Sequence, residues 1–326
     1  MTEHRDARAE ATALLPEGHE ARVLEPSPPA NLDPDWFADD PTDPSGAAGA
    51  VVTPIPGEGT TWAGMAEGDG QIAAYAADHW LDGRRRLTEL PGGYDATRRA
   101  LHQVAFFAVA PKRYSANGKL GLRYTHRGFG TPFFQDREGR GEQVRVESDL
   151  LVHQTADGIR TEAITTAGAA ARFLGLEYRD EWFEDFHDPL DPVRPDTVLA
   201  VDPRAADAVG EWFGFATHVL ERARRTPGAT EVSRVQLWPE HFDPAFEMGS
   251  SDGGARASYG ASPGDSAHPE PYLYVAAWGS IDRSDPFWND TGFNGASLGY
   301  RALLEADDPY ATALAFMQEG YRKLTA

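Results

Sequence analysis

Between Arg234 and Trp278 the chain reads as three extended runs: R-V-Q-L-W-P-E-H-F-D, A-S-Y-G-A-S-P-G-D and P-E-P-Y-L-Y-V-A-A-W. Gly/Ser/Asp and Pro/Asp/His turns part them, and alternation within such runs is the signature of β-strands. In the last run Tyr272, Tyr274, Ala276 and Trp278 share one face, and Leu273, Val275 and Ala277 the other. Antiparallel strands of this kind, with helices on one side, make the fold class α+β.

The helices are announced by their starts. Asp202-Pro203 puts an Asp cap and a first-turn Pro ahead of the strongest one, which carries Val209, Trp212, Phe213, Ala216, Val219, Leu220 and Ala223 on a broad apolar face. T-P-G at Thr226 to Gly228 closes it. Asp95 caps a helix over Ala96 to about Ala110, with Leu101, Val104, Ala105 and Ala108 inward. Asp308-Pro309 opens a last helix bearing Tyr310, Leu314, Met317 and Tyr321. Spacing also predicts a helix over 70–81.

Between the first two capped helices the pattern turns to strands. Asn117-Gly118 is read as the turn before a strand over Leu120 to Thr125. Val144 to Glu147 and Leu150 to Gln154 read as one strand interrupted at Ser148-Asp149. Ile159 to Thr165 is its hairpin partner across Asp157-Gly158, and Thr166 to Leu174 a short helix stopped by Gly175. The acidic, Pro-rich 181–195 is a crossover. Set side by side, residues 96–175 and 202–280 both run helix, bent strand, strand, strand. The expectation is two αβββ halves of three antiparallel strands each, related by internal duplication and carrying flanking helices. Residues 56–326 then form one domain with a helical extension over 296–326. Residues 1–55, rich in Pro and acids, form a disordered acidic tail.

Composition narrows the partners. The formal net charge of -21 repels phosphate backbones and anionic lipid, so neither nucleic acid nor a membrane surface is expected. The basic run Arg84 to Arg86 reads as a solvated helix end. With no Cys, disulfides, thiolate nucleophiles and Cys-ligated metals are excluded. The N-terminus has no apolar signal-peptide core, and no apolar run approaches the ~20 residues that cross a bilayer; a cytoplasmic location is expected.

The G-F-G-T-P-F-F loop, the D-P-x-A helix start at Asp202 to Ala205, the Q-L-W-P-E-H-F-D strand and S-P-G-D followed by P-E-P-Y-L-Y-V together resemble an uncharacterised family of bacterial proteins, a domain of unknown function. The resemblance spans roughly Ala96 to Trp278. It implies one compact α+β unit and no activity.

The chemistry gathers on the same stretch. Glu240, His241 and Asp243 are the candidate catalytic residues: a His beside a carboxylate is a proton-transfer pair or part of a metal site. Strand alternation sets His241 and Asp243 on one face and Glu240 on the other unless Pro239 interrupts the strand. Asp265, His268 and Glu270 are the nearby oxygen and nitrogen donors for a metal, at a spacing that matches no zinc motif. Gly264-Asp265-Ser266 looks like a hydrolase G-D-S, yet Asp-Ser in a turn is ordinary.

Trp238, Tyr259, Tyr272, Tyr274, Trp278, Phe287 and Trp288 line either an apolar pocket or a sheet core. The ligand-binding candidates are Trp238, Tyr272 and Tyr274, with Arg123 opposite to hold an anion. No motif names a cofactor. Three readings of function stay open: a small-molecule-binding domain, a His/Asp acid–base or metal-assisted hydrolase or isomerase, and an interaction protein acting through its acidic tail.

Overall fold

The computed structural model describes residues 87–125, 127–132, 134–135, 141–155, 158–179, 190, 193–233 and 235–326. The expected tail over 1–55, the helix over 70–81, the Arg84–Arg86 run and most of the 181–195 crossover lie outside them.

Helix α4 (Pro203–Ala223) organises what is described. Its start follows from the sequence: Asp202 Oδ1 accepts hydrogen bonds of 3.0 Å from the N–H groups of Arg204 and Ala205. Val209, Trp212, Phe213, Phe215, Ala216, Val219 and Leu220 are all buried, so the helix is apolar nearly all round. Such a helix must be covered over most of its surface, and only a narrow stripe with Arg204 and Arg222 stays exposed. It packs against helices α1 (Tyr94–Val104) and α6 (Pro309–Leu324) and against strands of two antiparallel sheets.

The first sheet runs β1 (Arg123–Thr125), β2 (Gly128–Gly130), β4 (Gly141–Glu147), β5 (Leu150–Thr155), β6 (Gly158–Ala163), with a short β3 (Phe134–Gln135) on β4. The second runs β7 (Gln236–Trp238), β8 (Asp243–Met248), β9 (Ala257–Ser262), β10 (Tyr272–Ala277), β11 (Gly295–Gly299). The class is α+β with antiparallel sheets, as expected. The first sheet, however, carries six strands and the second five, rather than three each, and β11 falls at the start of the stretch expected to be a helical extension.

The two sheets touch edge to edge. Leu122 and Leu237 exchange backbone hydrogen bonds of 2.8 and 2.9 Å as an antiparallel bridge. Each half also places a non-glycine residue in the left-handed region just before its second strand, Arg127 (φ 59°) before β2 and Phe242 (φ 55°) before β8. Matching the strand ends Thr125 and Trp238 carries Leu122 onto Val235 and Tyr124 onto Leu237. The bridge then joins equivalent strands in a register consistent with a local two-fold.

Four local expectations change. α1 begins at Tyr94 after Gly93, with no side-chain cap, so Asp95 lies inside its first turn instead of capping it. Asn117-Gly118 ends a helix instead of turning a hairpin: α1 continues through a π-helical stretch (Ala105–Val109) into α2 (Ala110–Asn117), and Gly118 at φ 74° is its C-cap. Ser148-Asp149 is a turn, with Ser148 at φ 57°, so 144–147 and 150–154 are paired neighbours rather than one strand. Pro239 to Phe242 is likewise a turn, between β7 and β8. By contrast β6 pairs β5, Thr166 caps α3 (Ala167–Phe173) through Ala169 N–H, Gly175 lies at φ 73°, and Asp308 caps α6 through Ala311 N–H. No described helix is long and apolar enough to cross a membrane.

α4 receives the β1–β2 hairpin at two glycines. A Cβ at Gly210 would stand 2.6 Å from the Arg127 carbonyl carbon, and one at Gly214 3.0 Å from the Tyr124 ring. Gly210→Ala is expected to destabilise the chain by about 1–3 kcal/mol through overpacking. A urea titration should show a lower midpoint with an unchanged slope.

Candidate ligand-binding site

The helix-facing side of the second sheet is apolar: Leu237, Phe246, Met248, Tyr259, Leu273, Val275 and Ala296 are buried in the core. Period-two alternation sends the intervening residues to the far face. One cross-strand row there runs Gln236, Ala245, Gly260, Tyr274, Ser297. Another pairs Glu247 with Ser258 and Ser258 with Ala276. Small residues at 245 and 276 leave a hollow of about 1120 Å³.

Its walls include Trp238, Glu240, His241, Asp243, Tyr272 and Tyr274. Six of the seven candidates read from the sequence are thus brought together. Arg123 is not: it lies across the seam in the first sheet, 4% exposed, with its Nε–H donating to the Tyr124 carbonyl at 3.4 Å. Its cross-strand row through Gly130 leads to Arg145, which is buried and bonded to Glu147 and Gln154 at 2.6 Å each. The first sheet thus carries a buried arginine network at the position where the second is hollow.

The turn before Asp243 is set by Phe242. Its ring is 1% exposed and meets Phe129 edge-on at 4.9 Å, Phe213 edge-on at 5.1 Å and His102 stacked at 5.0 Å. His102 Nε2 lies 2.9 and 3.1 Å from the carbonyls of Pro239 and Glu240, which fixes the turn from α1. With the ring of residue 242 driven inward, His241 is left exposed at the rim and Asp243 begins β8 inside the hollow.

Asp243 is 4% exposed. Its Oδ2 accepts the Tyr274 hydroxyl at 2.5 Å, so the expected His241–Asp243 pairing gives way to an Asp243–Tyr274 bond. That bond needs Gly260: a Cβ there would stand 2.3 Å from the Tyr274 hydroxyl oxygen, and without it the ring lies across β9 to reach β8. Asp243 Oδ1 has no hydrogen-bond partner among the described residues. Burial raises the Asp243 pKa, with the His241 charge and the Tyr274 bond pulling the other way. Burial, then the Asp243 charge, pushes Tyr274 well above its usual value.

Around this pair, Tyr272 donates to Asp265 Oδ2 at 2.6 Å. Asp265 Oδ1 accepts from the N–H groups of Ala267 and His268 at 2.7 Å each, the ordinary Asx turn, with Ser266 exposed. Burial pushes Asp265 up, but these three donors hold it below the usual carboxylate range. His268 and Glu270 lie outside the hollow: His268 stands 3.4 Å from Asp290, and Glu270 pairs with Arg301 at 3.6 Å. Among the described residues no group of three or more His, Asp or Glu could hold a metal ion.

The other aromatics divide. Tyr259 stacks on Phe246 in the core, Phe287 packs on Phe316 and Trp288, and Trp278 is exposed beneath Arg256. Phe287 and Trp288 therefore anchor their loop, while Phe293 from the same loop meets Tyr274 at 6.0 Å and lines the hollow. Sequence reasoning missed Gln236, Glu247, Ser258 and Ser262, although alternation from Asp243 and from Tyr259 marks them. His102 had no signal, because it meets residues 137 and 138 positions away. No family model, curated protein or solved structure matches the chain, so the resemblance to a bacterial family rests on its quoted motifs alone.

The two buried groups have opposite pH signatures. Burial lowers His102 from 6.5 to about 4, so its contribution to stability is full above 6.5 and lost as pH falls toward 4. Asp243 is raised above 3.8, so its contribution is full below that value and lost as pH rises through the folded pKa. In thermal melts across pH 4–8, Asp243→Asn should raise the midpoint more at pH 8 than at pH 4. His102→Gln should flatten the loss between 6.5 and 4.

Proposed function

We propose that the chain binds a small molecule against the open face of its second sheet. The observation that carries this reading is Asp243: a buried carboxylate with one oxygen bonded to Tyr274 and the other unmatched, in the wall of a hollow large enough for a small organic molecule. Trp238, Tyr272, Tyr274 and Phe293 give apolar surface, and Gln236, Ser258 and Ser262 give hydrogen-bonding groups to orient what enters. The same order of elements in both halves supports an internal duplication in which the second copy carries the site.

A second reading, an acid–base enzyme, draws on the 2.5 Å Asp243–Tyr274 contact, where both pKa values are raised inside a cavity. In that reading Asp243 exchanges a proton with the substrate, and Glu240 and His241 at the mouth relay it to water. Substrate turnover lost in Asp243→Asn while binding survives would select it.

A thermal-shift screen of a metabolite library tests the main reading. A ligand at a hundred times its dissociation constant adds about 2.7 kcal/mol to stability. Ala276→Trp, which fills the hollow from β10, should fold and lose that shift. A shift of undiminished size in Ala276→Trp would place the ligand elsewhere and end the proposal.

A further inference from the structure

We infer that the molecule taken up by this hollow is an organic cation, an amine whose ammonium group sits against Asp243 Oδ1 with its carbon skeleton among the rings of Trp238, Tyr272, Tyr274 and Phe293. The inference rests on the reading of the hollow as a ligand site and adds the chemistry of what fills it.

The walls carry four carboxylates, Glu240, Asp243, Glu247 and Asp265, against one guanidinium, Arg224. Arg224 is already committed: its Nη1 donates to Glu221 at 3.2 Å and its Nε to the Ser233 carbonyl at 3.1 Å. Two of the acids are matched within the protein, Glu247 by the Arg256 guanidinium and Asp265 by the Tyr272 hydroxyl and two backbone N–H groups.

Asp243 differs from both. It is the most deeply buried of the four, its one side-chain donor is a neutral phenol, and Oδ1 is unmatched. A buried carboxylate is stable only when a cation or a full set of donors meets it. An ammonium supplies both charge and donors to Oδ1. The aromatic faces around it favour a cation and tolerate an apolar chain. A hollow walled by excess negative charge, in a chain of net charge -21, concentrates cations and repels anions. The ligand class expected from Arg123, an anion, is therefore reversed: Arg123 is buried in the other sheet and does not line the hollow, and the charge that lines it is negative.

Isothermal titration calorimetry on the full chain at pH 7.5 tests this with shape-matched probes: benzylamine, tyramine and putrescine, their alcohol counterparts, and their carboxylate counterparts. At least one amine should bind tenfold or more tighter than its alcohol, and no carboxylate should bind. Asp243→Asn should cut amine affinity tenfold or more and remove the preference for amines over alcohols. If alcohols or carboxylates bind as tightly as amines, or if Asp243→Asn keeps the amine preference, the cation assignment is overturned while the ligand site stands. If no probe of any class binds, both readings fall. The comparison of probes on the unsubstituted chain needs no variant, so poor folding of Asp243→Asn would not shield the inference.

Discussion

A helix that is apolar over most of its circumference must be largely covered, and α4 meets that demand with two sheets and two helices. Each buried Val, Leu or Phe side chain on it contributes about 1.5–3 kcal/mol of transfer free energy, so both sheets are held with their apolar faces against one rod. Their polar faces then point away from it. The strands touch at the Leu122–Leu237 bridge, and the hollowed face of the second sheet is what alternation leaves over once the inner face is satisfied.

The site depends on three steric facts at single residues. Gly260 lets the Tyr274 ring cross a strand, Ala245 and Ala276 keep the floor low, and Phe242 in a left-handed conformation turns the chain so that Asp243 points inward. The electrostatics follow from the geometry. A carboxylate brought into a low-dielectric wall and given one neutral donor binds its proton more tightly and attracts any cation that reaches it. In the first half the corresponding face holds Arg145, whose bonds to Glu147 and Gln154 internalise the charge that the second half leaves open.

Much of this was legible in the chain. Asp202-Pro203 and Asp308-Pro309 mark helix starts because capping is local, and Tyr272-Leu273-Tyr274-Val275 separates the two faces because alternation is local. Gathering Trp238, His241, Asp243 and Tyr274 was legible too, since turns parted runs that had to pair. What was hidden was non-local or set by a single backbone angle. Asn117-Gly118 suits a hairpin and a helix end equally, and only the packing of the π-helical stretch behind it decides. Ser148 at φ 57° turned an apparent interruption into a reversal, doubling a strand into two. Arg123 looked like a ligand holder because its strand holds the matching place in the first half. Its side chain, however, is buried and does not line the hollow.

Phe242 is wedged among Phe129, Phe213 and His102, and the next residue along the backbone is Asp243 in the wall of the hollow. Folding stability and recognition therefore share one side chain, and neither can be tuned alone. A substitution deep beneath the sheet, in a ring that never meets a ligand, would re-aim the charge above it. Variation in what such a scaffold accepts would then arise from changes in its interior as readily as from changes along its rim.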